Sequence, residues 1–250
     1  MSDSLSPTCF AAHAKAAMYQ GEALDTETSM KTLFSGVRMM VLGLTLICGD
    51  LTASREAQAG GAGSLATNFV GRFYFDPQAL QGFVVGYLPD IAGVAEPMFD
   101  GPPSEGTAYF TYRSNVFQFT QLPTNGDLQL FLLSAGTYAI YFNAQPIGDR
   151  SNPDTFSSGQ PIAQFKRPEG LVLEFTDFIN HVIGEDLVST QPFILDGHNY
   201  DFRRIALGGL TLFNTASTTP LTGTGISGFP VIFPYAGSGT AVGVSLRAGE

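Results

Sequence analysis

Tryptophan is absent from this 250-residue chain, cysteine occurs twice, histidine three times, and only 14% of the residues are charged. Lysine and arginine are outnumbered 12 to 22 by aspartate and glutamate, a formal net charge of −10. Such a balance offers little basic surface to release counterions from phosphate, which argues against nucleic acid as a partner. No apolar run reaches the roughly 18 residues of a membrane-spanning helix. There is no N-x-S/T sequon, which fits a bacterial better than a eukaryotic exported protein. No repeat recurs at a fixed period, which argues against a propeller or solenoid. G-x-S-x-G, H-E-x-x-H, the P-loop and C-x-x-C are all missing, and no cofactor is expected.

What is present is apolar and punctuated by turns. Hydrophobic residues make up 44% of the chain, with 29 glycines, 15 prolines and 21 phenylalanines. That is too apolar for disorder and too poor in helix formers for a coiled coil. The length suits one domain, or at most two.

The sharpest local pattern lies near the N-terminus. Met30-Lys31 and Arg38 are cationic flanks, Met39–Cys48 is an uncharged, mostly apolar stretch, and Ala57-Gln58-Ala59 is an A-x-A site. This order is that of a secretory signal peptide over 30–59, cleaved before Gly60. The 29 preceding residues are then an extension upstream of the true start; the alternative is an uncleaved signal anchor with a cytoplasmic tail. Thr45-Leu46-Ile47 before Cys48 is a poor lipobox. Cleavage removes Cys9 and Cys48, leaving a cysteine-free mature chain, secreted or periplasmic, that its core alone must hold. Some 190 residues suffice, since a domain of that size buries about 70% of its unfolded surface.

After a small-residue lead-in at 60–67, the dominant period is two, and 68–250 reads as one all-β domain. Phe69–Phe75, Gly82–Leu88, Thr107–Arg113, Val116–Gln121, Leu128–Leu133 and Thr137–Asn143 read as strands, with a type I′ turn at Asn125-Gly126. Phe117/Phe119, Leu128/Leu130/Leu132 and Tyr138/Ile140/Phe142 are the expected inward positions. Ile162–Lys166, Leu171–Phe175, Phe193–Leu195, Tyr200–Leu207, Leu210–Ala216, Phe229–Phe233 and Thr240–Leu246 follow. Residues 177–190 fit a helix or a strand, and the surrounding β pattern favours the strand. About 11–13 short strands make a single antiparallel β-barrel or β-sandwich. Apolar residues on both faces of some strands point to a sheet covered on both sides, or to a barrel with extra segments packed on it.

Few groups carry chemistry. Gly223–Gly228 spells G-x-G-x-x-G, but Pro230 and Pro234 forbid the helix a dinucleotide site requires, so it reads as a loop. Glu174, flanked by Leu173 and Phe175, is the best-placed acid, and His181 and His198 are the histidines available to a catalytic system. His198 otherwise reads as a polar turn residue. On a helix, Asp177, His181 and Glu185 would share one face in a metal arrangement, although such faces are more often solvated. Asp149, Asn152 and Asp154 in the long 144–160 excursion offer oxygen ligands to Ca²⁺, or simply make turns. Arg203 and Arg204, on a strand, would point to opposite faces, one of them pairing with Asp201. Tyr109, Tyr112, Tyr138 and Tyr141 could line an apolar or sugar pocket. The scarcity of catalytic groups favours a non-catalytic exported protein that binds a small apolar molecule or a surface partner. The alternatives are a β-barrel enzyme, a hydrolase or a cyclase/isomerase, using a carboxylate plus tyrosine, and a structural surface or matrix protein.

Overall fold

A computed structural model describes residues 62–221 and 225–243. The expected leader, with its expected cleavage residues Ala57, Ala59 and Gly60, lies outside the described residues, as does the end of the strand expected at Thr240–Leu246. Within them the chain is all-β and forms a closed antiparallel barrel. The strands are β1 (Leu65–Asp76), β2 (Gln81–Ile91), β3 (Phe110–Ser114), β4 (Phe117–Gln121), β5 (Gln129–Leu133), β6 (Gly136–Phe142) and β7 (Gln160–Arg167). They continue as β8 (Gly170–Glu174), β9 (Phe178–Thr190), β10 (Phe193–Leu195), β11 (His198–Tyr200), β12 (Gly209–Ser217) and β13 (Val231–Val242). The ambiguous 177–190 segment is a strand, as its neighbours required.

Eight strands close the barrel in the order β1-β13-β12-β9-β7-β6-β3-β2, with β2 pairing back onto β1. Closure leaves those strands no open edge. The two long strands β2 and β9 each divide their pairing. Ile179–Ile183 of β9 pair with β8, whereas Asp186–Thr190 pair with β7. Gln81 and Gly82 of β2 pair with β4, whereas Val85–Tyr87 pair with β3. The wall therefore forks, and β4, β5 and β8 form a second branch that joins β2 to β9 at one end of the barrel. Three short connections, from β3 to β4, β5 to β6 and β7 to β8, lie along this fork. Polar side chains satisfy the backbone there: Ser114 Oγ accepts from Val84 N–H, Ser134 Oγ from Gln118 N–H, and Asn115 Oδ1 from Thr137 N–H.

The lumen is packed at both ends. Toward the branched end, Phe73, Phe75, Phe117, Phe119, Phe131 and Phe233 interlock with ring centroids 5.4–6.5 Å apart. At the other end, the β9–β12 connection contributes the β10–β11 hairpin and a 3₁₀ turn at Phe202–Arg204. Phe193 packs on Phe110 and Phe142, and Phe202 on Phe165. Asp196 and Gly197 both take positive φ, as a type I′ hairpin turn demands. A second, smaller core lies outside the wall, where Tyr74, Phe83, Val85 and Ile232 are covered by Phe156, Leu221, Ile226 and Phe229. The covering segments belong to the 144–160 excursion and the β12–β13 connection, matching a barrel with segments packed on it.

Several local expectations are corrected. In β5 the buried residues are Phe131 and Leu133, while Leu128, Leu130 and Leu132 are half-buried. Both parities were apolar, so alternation could not choose between them. The expected strand over Tyr200–Leu207 ends at Tyr200, because the chain turns there to bury Phe202, Ile205 and Ala206. Arg203 and Arg204 are accordingly exposed on a 3₁₀ turn, and Asp201 caps that turn by accepting from Arg203 N–H. No ion pair joins Asp201 to either arginine among the described residues. Val231–Phe233 and Thr240–Val242, from two expected strands, belong to one strand, β13, whose central glycines do not interrupt it. The β4–β5 turn has positive φ at Gly126 but not at Asn125. β1 begins within the supposed lead-in and buries Ala66 and Thr67.

Candidate functional site

Alternation along three strands delivers polar side chains to the middle of the lumen. On β9, His181, Ile183 and Glu185 face inward, and Val182, Gly184 and Asp186 outward. β12 sets Leu210, Leu212 and Asn214 beside them, with Asn214 opposite His181 and Leu210 opposite Glu185. β7 contributes Phe165 and Arg167, β3 Tyr112, β6 Tyr138 and β13 Tyr235. Phe69, Val84, Phe117, Ile183 and Leu212 complete the walls. The enclosed space is about 20 Å³, room for a water molecule or two.

Missing Cβ atoms make this crowding feasible. A Cβ at Gly71 or Gly86 would stand 2.1 Å or 2.4 Å from the Tyr112 hydroxyl oxygen. One at Gly237 would overlap Asn214 Oδ1, and one at Gly136 would overlap Arg167 Nη2. The glycines thus let the Tyr112 and Tyr235 hydroxyls meet in a hydrogen bond and let the arginine lie flat across the fork.

Arg167, 2% exposed, donates from Nε to the Ser134 carbonyl at 3.2 Å and holds its guanidinium 4.6 Å from the centroid of the Phe117 ring. Nη2 has no hydrogen-bond partner. The same holds for His181 Nε2, Glu185 Oε2, Asn214 Oδ1 and the Tyr138 hydroxyl. An unmet buried polar atom costs about 1–3 kcal/mol. Five of them surround one cavity with room for water, so the middle of the lumen is polar where the rest of the core is apolar.

Burial sets the protonation states. It pushes Glu185 up to about 8 against the lowering pull of Arg167, with Asp186 adding a further upward push. Burial, assisted by Arg167, brings His181 down to about 4, so the ring is neutral at pH 7. Burial also raises Tyr112, Tyr138 and Tyr235 above their ordinary range. Desolvation lowers Arg167 from its ordinary value, but a guanidinium remains charged at any ordinary pH.

The other candidates separate from this cluster. Tyr109 and Tyr141 have the opposite strand parity to Tyr112 and Tyr138 and do not line the cavity. Glu174 is half-buried at the branched end, on the same face of β8 as Val172; burial raises its pKa and Oε2 has no partner. His198 is exposed, with Nδ1 2.8 Å from Glu96 Oε1. Glu96 also accepts from the Tyr200 hydroxyl, which burial and this bond push up to about 12. Asp177 is exposed ahead of β9, away from the inward row of His181 and Glu185. Asp149 accepts from the Ser151 N–H and hydroxyl, Asp154 pairs with Arg113 at 2.7 Å, and Asn152 donates its N–H to the Asp149 carbonyl. The described residues contain no group of three or more His, Cys, Asp and Glu able to hold a metal ion. Around Gly223–Gly228, Ile226 and Phe229 pair across a turn, and β13 follows rather than a helix.

Arg167, Asn214 and Tyr235 were missed by the sequence reading, and Glu185 was weighed only as a metal ligand. Their signal was a polar residue at the inward parity of an otherwise apolar strand. Comparisons with known protein families, curated proteins and solved structures find no match.

Proposed function

We propose that the barrel lumen is an acid–base active site for a small, mostly apolar molecule, in the isomerase or cyclase class. The observation that carries this reading is the convergence of five unpartnered polar groups on one enclosed cavity. Among them Glu185 has its protonation midpoint about one unit above neutrality. An acid–base group works best when its pKa lies near the working pH. Glu185 is the proton carrier in this reading, delivering or receiving a proton at a substrate carbon. The Tyr138 hydroxyl and the neutral His181 ring hydrogen-bond the oxygen on which charge develops. Phe69, Val84, Phe117, Ile183 and Leu212 hold the apolar remainder and exclude water. A substrate larger than water enters by displacing the Phe117 and Phe119 rings; Phe119 is already half-buried.

The test is deuterium incorporation. Small ketones such as cyclopentanone are incubated with the protein in D₂O, and loss of the α-proton signal is followed by NMR. Exchange above the buffer rate that falls at least tenfold in Glu185→Gln is expected. Equal rates with and without protein across the ketone panel would sink the catalytic reading and return the lumen to non-catalytic binding. The leader pattern supports export, for which N-terminal sequencing of the processed chain is expected to begin at Gly60.

A further inference from the structure

Arg167 is the anomaly that the acid–base reading leaves unused. A buried guanidinium ordinarily has a carboxylate against it, because an unpaired buried charge is costly. Among the described residues no carboxylate lies within ion-pair distance of Arg167, which lines the cavity, and its Nη2 has no hydrogen-bond partner. The Ser134 carbonyl anchors Nε and Gly136 leaves room for the guanidinium, so the cation is held in place without being neutralised.

From this geometry we infer that the lumen takes a molecule carrying a carboxylate, with Arg167 as its counter-charge and the Glu185 carboxyl group beside it as a gate on anion entry. The inference rests on the acid–base reading of the same site and adds the substrate class. Among the described residues Arg167 is the only cation lining the cavity. The titratable groups that face it are Glu185 and His181 from β9, Tyr112 from β3, Tyr138 from β6 and Tyr235 from β13, with Asp186 exposed behind Glu185. The histidine is neutral throughout the range above pH 5 and burial keeps the tyrosines protonated, so Glu185 alone of the lining residues changes charge between pH 7 and 9. With Glu185 protonated the cavity carries one uncompensated positive charge. Once ionised, Glu185 supplies that compensation itself and an incoming anion is repelled.

The experiment titrates the purified protein with acetate, propionate and benzoate, and with acetamide, propionamide and benzamide as neutral isosteres, by calorimetry and thermal shift. At least one carboxylate is expected to bind at pH 7 while its amide does not, with Arg167→Met abolishing binding. In the wild type the dissociation constant rises about tenfold from pH 7 to 9, following the loss of the protonated carboxyl form. In Glu185→Gln, which keeps a neutral side chain, it stays flat. Equal binding of acids and amides, binding that survives Arg167→Met, or no carboxylate binding at all overturns the inference. Should Arg167→Met not fold, a wild-type dissociation constant unchanged between pH 7 and 9 does the same. Ketone exchange without carboxylate binding removes only this anion site, whereas carboxylate binding without ketone exchange removes only the catalytic reading.

Discussion

Replacing Glu185 by glutamine changes how stability depends on pH, and the sign follows from where the side chain sits. The unfolded carboxyl group titrates near 4.5 and the folded one near 8. Between those values the folded protein holds a proton that the unfolded chain has released, so stability falls as pH rises, by about 1.4 kcal/mol per unit. His181 acts in the opposite sense between its folded value of about 4 and its unfolded value of 6.5. There the unfolded ring takes up a proton that the buried ring refuses, so stability rises with pH. From pH 4.5 to 6.5 the two slopes cancel. Above 6.5 only Glu185 remains, and the wild type loses about 1–2 kcal/mol by pH 8, a fall of about 3–6 °C in Tm for a domain of this size. Glu185→Gln has no proton to lose, so its stability is level over pH 6.5–8 and climbs between 4.5 and 6.5 as His181 alone dictates. Urea denaturation at half-unit intervals of pH measures both curves, and groups common to the two proteins drop out of their difference. Parallel curves for wild type and variant between pH 6.5 and 8 would refute the assignment of a neutral, buried Glu185.

Other expectations concern packing and charge. Arg167→Met removes a buried charge that has no carboxylate partner and should raise unfolding stability by about 1–4 kcal/mol, read as a higher urea midpoint; a lower midpoint would mean that the arginine is structural. Gly71→Ala drives a methyl against the Tyr112 hydroxyl and the Val85 carbonyl, for a loss of about 3 kcal/mol by the same measurement. Phe156→Ala uncovers the core outside the wall and frees Tyr74, whose hydroxyl bonds the Arg150 carbonyl; a loss of about 3–5 kcal/mol is expected, with the lumen and its carboxylate binding unchanged.

Much of the fold was legible because strands with one clear apolar parity announce themselves. Phe69 to Phe75 and Tyr138 to Ile140 went where alternation put them. Leu128 to Leu133 did not, since a strand apolar at every position carries no parity signal. Tyr200–Leu207 looked like a strand because its aromatic and β-branched residues suit one; closing the barrel end needed Phe202 and Ile205 on a turn instead, a tertiary demand invisible locally. The candidate site was half legible. His181, Tyr112 and Tyr138 were singled out, but nothing joined them, because strands adjacent in the barrel are far apart in the chain. Arg167 lies one residue past the strand expected at Ile162–Lys166, next to Pro168-Glu169-Gly170, although its parity with Ala163 and Phe165 already turned it inward.

The divided wall also bears on how a molecule enters. The β4–β5–β8 branch is tied to β9 by five residue pairs along β8, but to β2 by only two, Gln81 with Gln118 and Gly82 with Phe117. A ladder so short opens at little cost compared with the long β1–β2 and β1–β13 ladders. Phe117, the ring beneath the guanidinium, belongs to that weak seam, so unzipping it uncovers the buried Arg167 charge. The barrel then behaves as a vessel with a side door, and amide exchange in β4 should outpace that in β1, β12 and β13.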